Sequence, residues 1–225
     1  MVQQVDASLS RLGTDHIDLL QLHNPRIEPI VDDELWDTLV SLRTAGKVRE
    51  LGVSLGPAIG WVDEGNIAID DRPATTLQTV FNLLEQEPSL TFAARERVRN
   101  GDVSLISRVP HASDTLSGKL SIDTVLSPGD HRAHRDRDNM LDNFEKAEKL
   151  AFLWTPETGR TIGQAAVAGI SRIPHSRASC QRFCRSTKYA NTRTRPSCRS
   201  PTARLAPLTN SGFVTSTMST AMSCR

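Results

Sequence analysis

The sequence predicts an α/β protein built on a parallel sheet with helices on its faces. Short apolar segments alternate with amphipathic ones along residues 1–170, and this alternation is typical of parallel sheets. The predicted strands are apolar through most of their length, as expected when both faces of a sheet are covered. Gly52, Gly56 and Gly60 are four residues apart, so no strand is followed by the Gly-x-Gly-x-x-Gly of dinucleotide-binding turns. A barrel therefore fits better than a doubly wound sheet.

The first part of the chain contains two predicted helices and two predicted strands. Residues 2–12 carry apolar side chains at three- and four-residue spacing, and Gly13 can cap the helix that this spacing indicates. Residues 17–22 form a short apolar run that is typical of a buried strand. Residues 32–46 begin with two aspartates and end in a glycine, which indicates a second helix. Residues 48–53 form the second predicted strand.

The alternation continues in the second part of the chain. Residues 77–81 and 103–107 are apolar enough for buried strands, and a charged helix between them is predicted over residues 95–99. Residues 143–154 carry apolar side chains on one helical face, and another helix begins at Thr161. Four strands, each followed by a helix, are therefore predicted.

Charge divides the chain into two unequal segments. The sequence has 27 Lys and Arg against 26 Asp and Glu, but residues 171–225 contain ten of the basic residues and no acidic one. Residues 1–170 therefore hold 17 basic and 26 acidic groups, a net charge of −9, and all four cysteines lie beyond them. We predict a folded domain over residues 1–170 and a disordered, basic, Ser/Thr/Arg-rich tail over residues 171–225.

Composition argues against several classes of protein. The overall net charge of +1 is too small for a strongly basic nucleic-acid-binding protein. No apolar run approaches the roughly 18 residues that a membrane-spanning helix needs. The N-terminus lacks the basic-then-apolar pattern of a secretory signal. We therefore expect a cytoplasmic protein that binds neither nucleic acid nor membrane.

No metal site is expected. Cys180 and Cys184 are spaced C-x₃-C with His175 nearby, but the paired spacing of zinc ligands is absent. His131 and His134 lie in a charged segment that we expect to be a solvated loop, with a lid over a cofactor as the alternative.

Four segments resemble the aldo-keto reductase family, and they follow one another in the family's order and spacing. Residues 8–25 (SLSRLGTDHIDLLQLHNP) are similar to the family's signature around its fourth barrel strand. Residues 42–54 (LRTAGKVRELGVS) resemble the next helix and strand, residues 77–84 resemble the sixth strand, and residues 110–119 resemble the loop after the seventh. The resemblance covers about residues 1–170.

The resemblance implies a (β/α)₈ TIM barrel, incomplete in this chain because the first strands are absent and the last is in doubt. It also implies an enzyme that binds NADPH in an extended pose and transfers hydride to an aldehyde or ketone. Of the family's catalytic Asp, Tyr, Lys and His, only the His has a counterpart, His23. The sole tyrosine, Tyr189, lies in the basic tail. Without a tuned proton donor, we expect a rate loss on the order of 10³-fold or more.

The resemblance further assigns contacts to the cofactor. Ser54 and Gln78 match residues that hydrogen-bond the nicotinamide carboxamide, although Leu55 replaces the family's usual Asn. Arg108 stands where an aromatic ring often stacks on the nicotinamide, and its planar guanidinium could stack in the same way. The loop that would lie beside the pyrophosphate of the cofactor contains Ser113, Leu116 and Lys119.

The chain departs from the family after Ile170. The family has a Val/Leu-rich eighth strand and an acidic helix there, whereas this chain has mainly Ser, Arg, Thr and Cys. Plausible GC-rich codons for residues 178–195, read one base earlier, give approximately R-V-V-S-V-L-P-I-D-E-V-R-E, which looks like the family's strand and helix. We therefore expect a shifted reading frame, with a genuine disordered tail as the alternative.

Two functions from different classes remain open. The matched motifs favour an NADPH-dependent reductase acting on a small carbonyl compound. The missing tetrad residues favour a non-catalytic protein, either a pseudogene-like fragment or a binding scaffold. A barrel enzyme with different chemistry is a third, weaker alternative. Turnover of an aldehyde by the 225-residue chain would separate the first two.

Overall fold

The computed structural model describes residues 1–56, 61–130 and 137–170, and the backbone of two short strands beyond them. The strands are β1 (Ile17–His23), β2 (Val48–Ser54), β3 (Thr76–Val80), β4 (Ser104–Arg108), β5 (Ser176–Ala178) and β6 (Thr215–Thr217). The helices are α1 (Val2–Leu12), α2 (Ile27–Val31), α3 (Asp33–Thr44), α4 (Val62–Asp70), α5 (Ser89–Ala93), α6 (Glu96–Arg99), α7 (Arg137–Lys149) and α8 (Ile162–Ile170). Short 3₁₀ helices cover Ala112–Ser117, Ala151–Leu153 and Pro156–Thr158.

All described strand pairs are parallel, which confirms the predicted α/β class. The sheet has the order β5-β4-β3-β2-β1-β6, so the four strands predicted from the sequence lie side by side in chain order. Helical segments connect each of these four strands to the next. Parallel neighbours need such crossovers, because the chain must return to the same end of the sheet before each new strand.

One large apolar core lies between the sheet and the helices α1 to α6. Leu51, Val53, Leu77 and Leu105 point from three adjacent strands into this core and are at most 3% exposed. Gly65 in α4 allows a close approach, because an added Cβ would lie 2.2 Å from the ring of Phe92. A second, smaller core packs Ala112 and Leu116 of the loop after β4 against α7 and α8. Its buried members are Ala112, Leu116, Ala147 and Ala166.

Local sequence signals placed several boundaries well. Gly13 caps α1 with φ 66°, as predicted. The Asp32 carboxylate accepts a hydrogen bond from the Leu35 amide at 3.1 Å and so caps α3. The helix predicted over residues 143–154 instead covers Arg137–Lys149. Its first three residues, at positions 137–139, are polar, so the apolar stripe did not mark the start of the helix.

The segment after Ile170 is described only at two three-residue strands. β5 pairs with β4, and β6 pairs with β1 on the other side of the sheet. All four cysteines and Tyr189 lie outside the described residues, as do His131, His134 and His175. The disordered tail and the shifted reading frame therefore stay predictions. Within the described helices, none is long and apolar enough to cross a membrane.

Candidate active site

The register of the sheet brings three of the predicted site residues into one row. His23 of β1 pairs with Ser54 of β2, and Ser54 pairs with Gln78 of β3. Register partners in a parallel sheet point to the same face, because side chains alternate between faces with a period of two. Arg108 lies one row closer to the carboxyl end, opposite Val80. All four predicted residues therefore share one face near the carboxyl ends of adjacent strands.

Gln78 lies inside its strand and not at its end. It falls within the strand predicted over residues 77–81 and is the third residue of β3, which runs from Thr76 to Val80. It is still level with the last residue of β2, because neighbouring strands are staggered along the sheet. Only the pairing between strands shows that Gln78 lies beside Ser54, because the sequence does not indicate how far neighbouring strands are offset along the sheet.

Ser54 and Gln78 form a buried polar pair. The Ser54 hydroxyl donates a hydrogen bond to the Gln78 side-chain oxygen at 2.6 Å. Each residue is 1% exposed. The hydrogen bond holds the two side chains together, and a hydroxyl and a side-chain amide each contain donor and acceptor atoms. The pair therefore places donor and acceptor groups on the face that carries His23.

Arg108 joins the ends of β1 and β2. Its Nη1 atom donates hydrogen bonds to the Asn24 side-chain oxygen at 2.8 Å and to the Leu55 carbonyl oxygen at 2.6 Å. Asn24 has φ 51°, a left-handed conformation that Asn tolerates better than most residues. The backbone N–H of Asn24 donates a hydrogen bond to the backbone carbonyl of Ser54 at 2.8 Å. The contacts use the edge of the guanidinium, and edge contacts leave its planar faces for stacking.

Asn24 is a site residue that sequence reasoning missed. It follows His23 directly, and its left-handed conformation turns the chain out of β1. The signal was present as an Asn before Pro25 at a strand end, since Asn is favoured where φ is positive. Its partner on Arg108 is 84 residues away, so no local pattern indicates the hydrogen bond.

His23 is held in its neutral form. Burial lowers the pKa of its imidazole, and the positive charge of Arg108 lowers it further. At neutral pH the ring can therefore donate one hydrogen bond and accept another. Such a group can orient a polar ligand, but it does not carry the positive charge of a strong general acid.

The loop after β4 follows a strained path. Ala112, Ser113 and Asp114 all have positive φ, at 46°, 56° and 78°. Burial lowers the pKa of the nearby His111, an effect that Asp114 opposes and Lys119 reinforces. A compact turn of this kind directs successive backbone N–H groups toward one side, where an anion can bind.

The three predicted loop residues differ in accessibility. Lys119 is exposed and Ser113 is partly buried. The Leu116 side chain is fully buried in the second core, at 0% exposed. The apolar packing of α7 and α8 draws this side chain inward, so only its backbone is available to a ligand.

A cavity of about 880 Å³ lies along one flank of β1. His23 and Asn24 border it, together with residues of α1, α2 and α3. Ser54, Gln78 and Arg108 do not line it. Within residues 1–56, 61–130 and 137–170, no group of three or more His, Cys, Asp or Glu could hold a metal ion.

Polar side chains gathered near the carboxyl ends of parallel strands, with helices covering the opposite face, are the arrangement found at the functional end of parallel barrels. The chain belongs to the aldo/keto reductase family, because the model of that family matches residues 1–170. This is a family of oxidoreductases. The match confirms the resemblance to the family that four sequence segments indicated.

Individual relatives agree with this assignment. An aldo-keto reductase of Bacillus subtilis is 30% identical over 142 residues, which are 60% of this chain and 38% of the relative. The structure of a glycerol dehydrogenase from Gluconobacter oxydans matches with a TM-score of 0.60 and 27% identity, covering 78% of this chain and 52% of the other. An aldo/keto reductase from Klebsiella pneumoniae, in complex with NADP and acetate, matches with a TM-score of 0.50 and 21% identity, covering 79% and 53%.

These matches also define the fold. The structural neighbours are (β/α)₈ barrels, so the predicted barrel is confirmed, and β1 to β4 form part of one. The chain spans about half the length of the solved structures it matches, between 50% and 56%.

Proposed function

We propose that the site serves NADPH-dependent reduction of a small aldehyde or ketone. The buried Ser54–Gln78 hydrogen bond in the same row as His23 is the observation that carries the proposal. When bound, the nicotinamide would supply the hydride. The chain's own residues would hold the ring, orient the carbonyl and exclude water.

The Ser54–Gln78 pair fits a carboxamide group. A carboxamide presents one acceptor oxygen and two N–H donors, and a hydroxyl beside a side-chain amide can complement both kinds of atom. Both residues are 1% exposed, so a carboxamide would have to displace the groups that cover the pair before it could bind there. Arg108 would lie beside the ring with a guanidinium face toward it, held in plane by its two edge hydrogen bonds.

The strained loop after β4 suits the phosphate groups of the cofactor. Ser113 can offer its hydroxyl and backbone N–H, and the Leu116 backbone lies in the same turn. Lys119 is exposed and positively charged, so it can neutralise phosphate without first breaking a buried contact. The family match and the NADP-bound neighbour from Klebsiella pneumoniae support this choice of cofactor.

His23 would orient the substrate carbonyl by donating a hydrogen bond from its neutral ring. Reduction places negative charge on the carbonyl oxygen, which a single neutral donor stabilises only partly. Among the residues that the structure describes there is no tyrosine, and Tyr189 is the only one in the 225-residue sequence. We therefore propose slow turnover for this chain, and a non-catalytic nucleotide-binding protein is the second candidate function.

Calorimetric titration with NADPH tests the cofactor site. Ser54→Ala and Gln78→Leu should each weaken binding about tenfold, the effect of one lost buried hydrogen bond. Ser107→Ala is the matched control. Its hydroxyl is also buried and donates to the Phe81 carbonyl at 2.6 Å, but from the opposite face of the sheet. Equal losses in all three variants, or no binding by the unaltered chain, would contradict the proposal.

Turnover separates the two candidate functions. NADPH oxidation with a reactive aldehyde should stay near background in the 225-residue chain, even where NADPH binds. Oxidation well above background that His23→Ala abolishes would show a working enzyme and would contradict the proposed slow turnover. Binding without oxidation would favour the non-catalytic function.

A further inference from the structure

We propose that Arg108 is a positioning residue that ties the turn after β1 to the turn after β2 and thereby fixes His23 relative to Ser54. This role rests on the proposed function only in taking His23 as the group that meets the substrate. It differs from stacking on a nicotinamide, because it acts through protein atoms that are already in contact.

The hydrogen bonds of Arg108 converge on two adjacent turns. One nitrogen, Nη1, reaches both the Asn24 side-chain oxygen and the Leu55 carbonyl oxygen, at 2.8 Å and 2.6 Å. Both acceptors lie one residue beyond a strand end, since β1 ends at His23 and β2 ends at Ser54. Arg108 therefore links the exits of two strands from the end of a third.

Backbone hydrogen bonds extend the same link. The Asn24 amide donates to the Ser54 carbonyl at 2.8 Å, and the Leu55 amide donates to the Gln78 carbonyl at 2.8 Å. Asn24 is therefore held through its backbone and its side chain. Its φ of 51° is unfavourable for most residues, so this turn depends on the contacts that hold it. Loss of Arg108 would leave Asn24, the residue that immediately follows His23, held only through its backbone N–H.

The positive charge of Arg108 affects the pKa of His23, so the position of the guanidinium can be followed by titrating the imidazole. The guanidinium of Arg108 stays protonated even when partly buried. Its positive charge adds to the effect of burial in lowering the pKa of the His23 imidazole. Arg26 and Glu28 line the same cavity as His23, with opposite charges. A change at Arg108 should therefore appear in the titration of His23.

Arg97 provides a matched control in the same chain. It is also a partly buried arginine that donates to backbone carbonyls, at 2.8 Å to Arg72 and 3.3 Å to Ala74. These carbonyls precede β3, at the opposite ends of the strands from His23. Arg97→Gln removes comparable hydrogen bonds without touching either turn at the site.

The experiment measures amide hydrogen exchange and the NMR titration of His23 in the 225-residue chain. Arg108→Gln should speed exchange at the Asn24 and Leu55 amides about tenfold, as the loss of a buried hydrogen bond predicts. It should also raise the pKa of His23. Arg108→Lys keeps the charge but carries it on a shorter side chain that cannot place its nitrogen where Nη1 lies, so exchange should rise while the pKa of His23 stays low. Asn24→Ala should speed exchange with the arginine intact.

Two results would overturn the positioning role. One is unchanged exchange at Asn24 and Leu55 in Arg108→Gln. The other is an equal increase at these amides in Arg97→Gln, which would show a general loss of stability. NADPH titration of the unaltered chain is a separate measurement, so failure of the proposed function would be recognised independently of the result at Arg108.

Discussion

The hydrogen bond between Ser54 and Gln78 offers a quantitative test of how the site is built. Ser54→Ala removes the donor and leaves the Gln78 oxygen buried beside a methyl group. Gln78→Leu removes the acceptor and leaves the Ser54 hydroxyl buried against an apolar side chain. Each residue is 1% exposed, so water cannot readily replace the lost partner. Both single variants should therefore be destabilised.

The structure sets the size of this effect. Leaving one buried polar group without its partner costs about 1–3 kcal/mol, whereas replacing both partners by apolar groups can be nearly neutral. The 2.6 Å separation places the pair within the range of a good hydrogen bond between oxygen atoms. The double variant should therefore lose less stability than the sum of the two single variants, by about 1–2 kcal/mol.

Urea unfolding followed by circular dichroism measures all four free energies of unfolding. The comparison is valid only if the dependence on urea stays the same in all four proteins, because that slope reports the surface exposed on unfolding. Strictly additive losses in the double variant would refute the inference that the two side chains act as a pair.

Two further predictions concern packing and pH. Gly65→Ala should lower the free energy of unfolding by about 1–3 kcal/mol, because the new Cβ would lie 2.2 Å from the Phe92 ring. Thermal unfolding of the variants measures this loss. Gly129→Ala is the control and should be close to neutral, because nothing lies within 4 Å of the added Cβ. Equal effects of the two substitutions would contradict the packing argument. Burial lowers the pKa values of His23 and His111, so below about pH 6.5 the unfolded chain binds more protons than the folded chain. Stability should therefore be retained above that pH and decline as the pH falls, and urea midpoints of His23→Gln and His111→Gln should depend less steeply on pH.

Local patterns predicted much of the fold. The predicted strands at residues 17–22 and 48–53 end one residue before β1 and β2 do, because apolar runs between turn residues are local signals. The other two predicted strands are shifted by one residue from β3 and β4. The helices α2, α4 and α5 were not located from the sequence. α2 and α5 have only five residues each, too few for a helical periodicity to become visible.

The sequence by itself determined the strand order along the chain, the family, and the residue types available to the site. The tertiary structure alone decided how those residues meet. Pairing between strands sets Gln78 level with Ser54, and Arg108 contacts an asparagine 84 residues away. Packing against α7 and α8 turns Leu116 into the core. Register, stagger and side-chain direction depend on contacts between distant segments, and local sequence patterns do not carry that information.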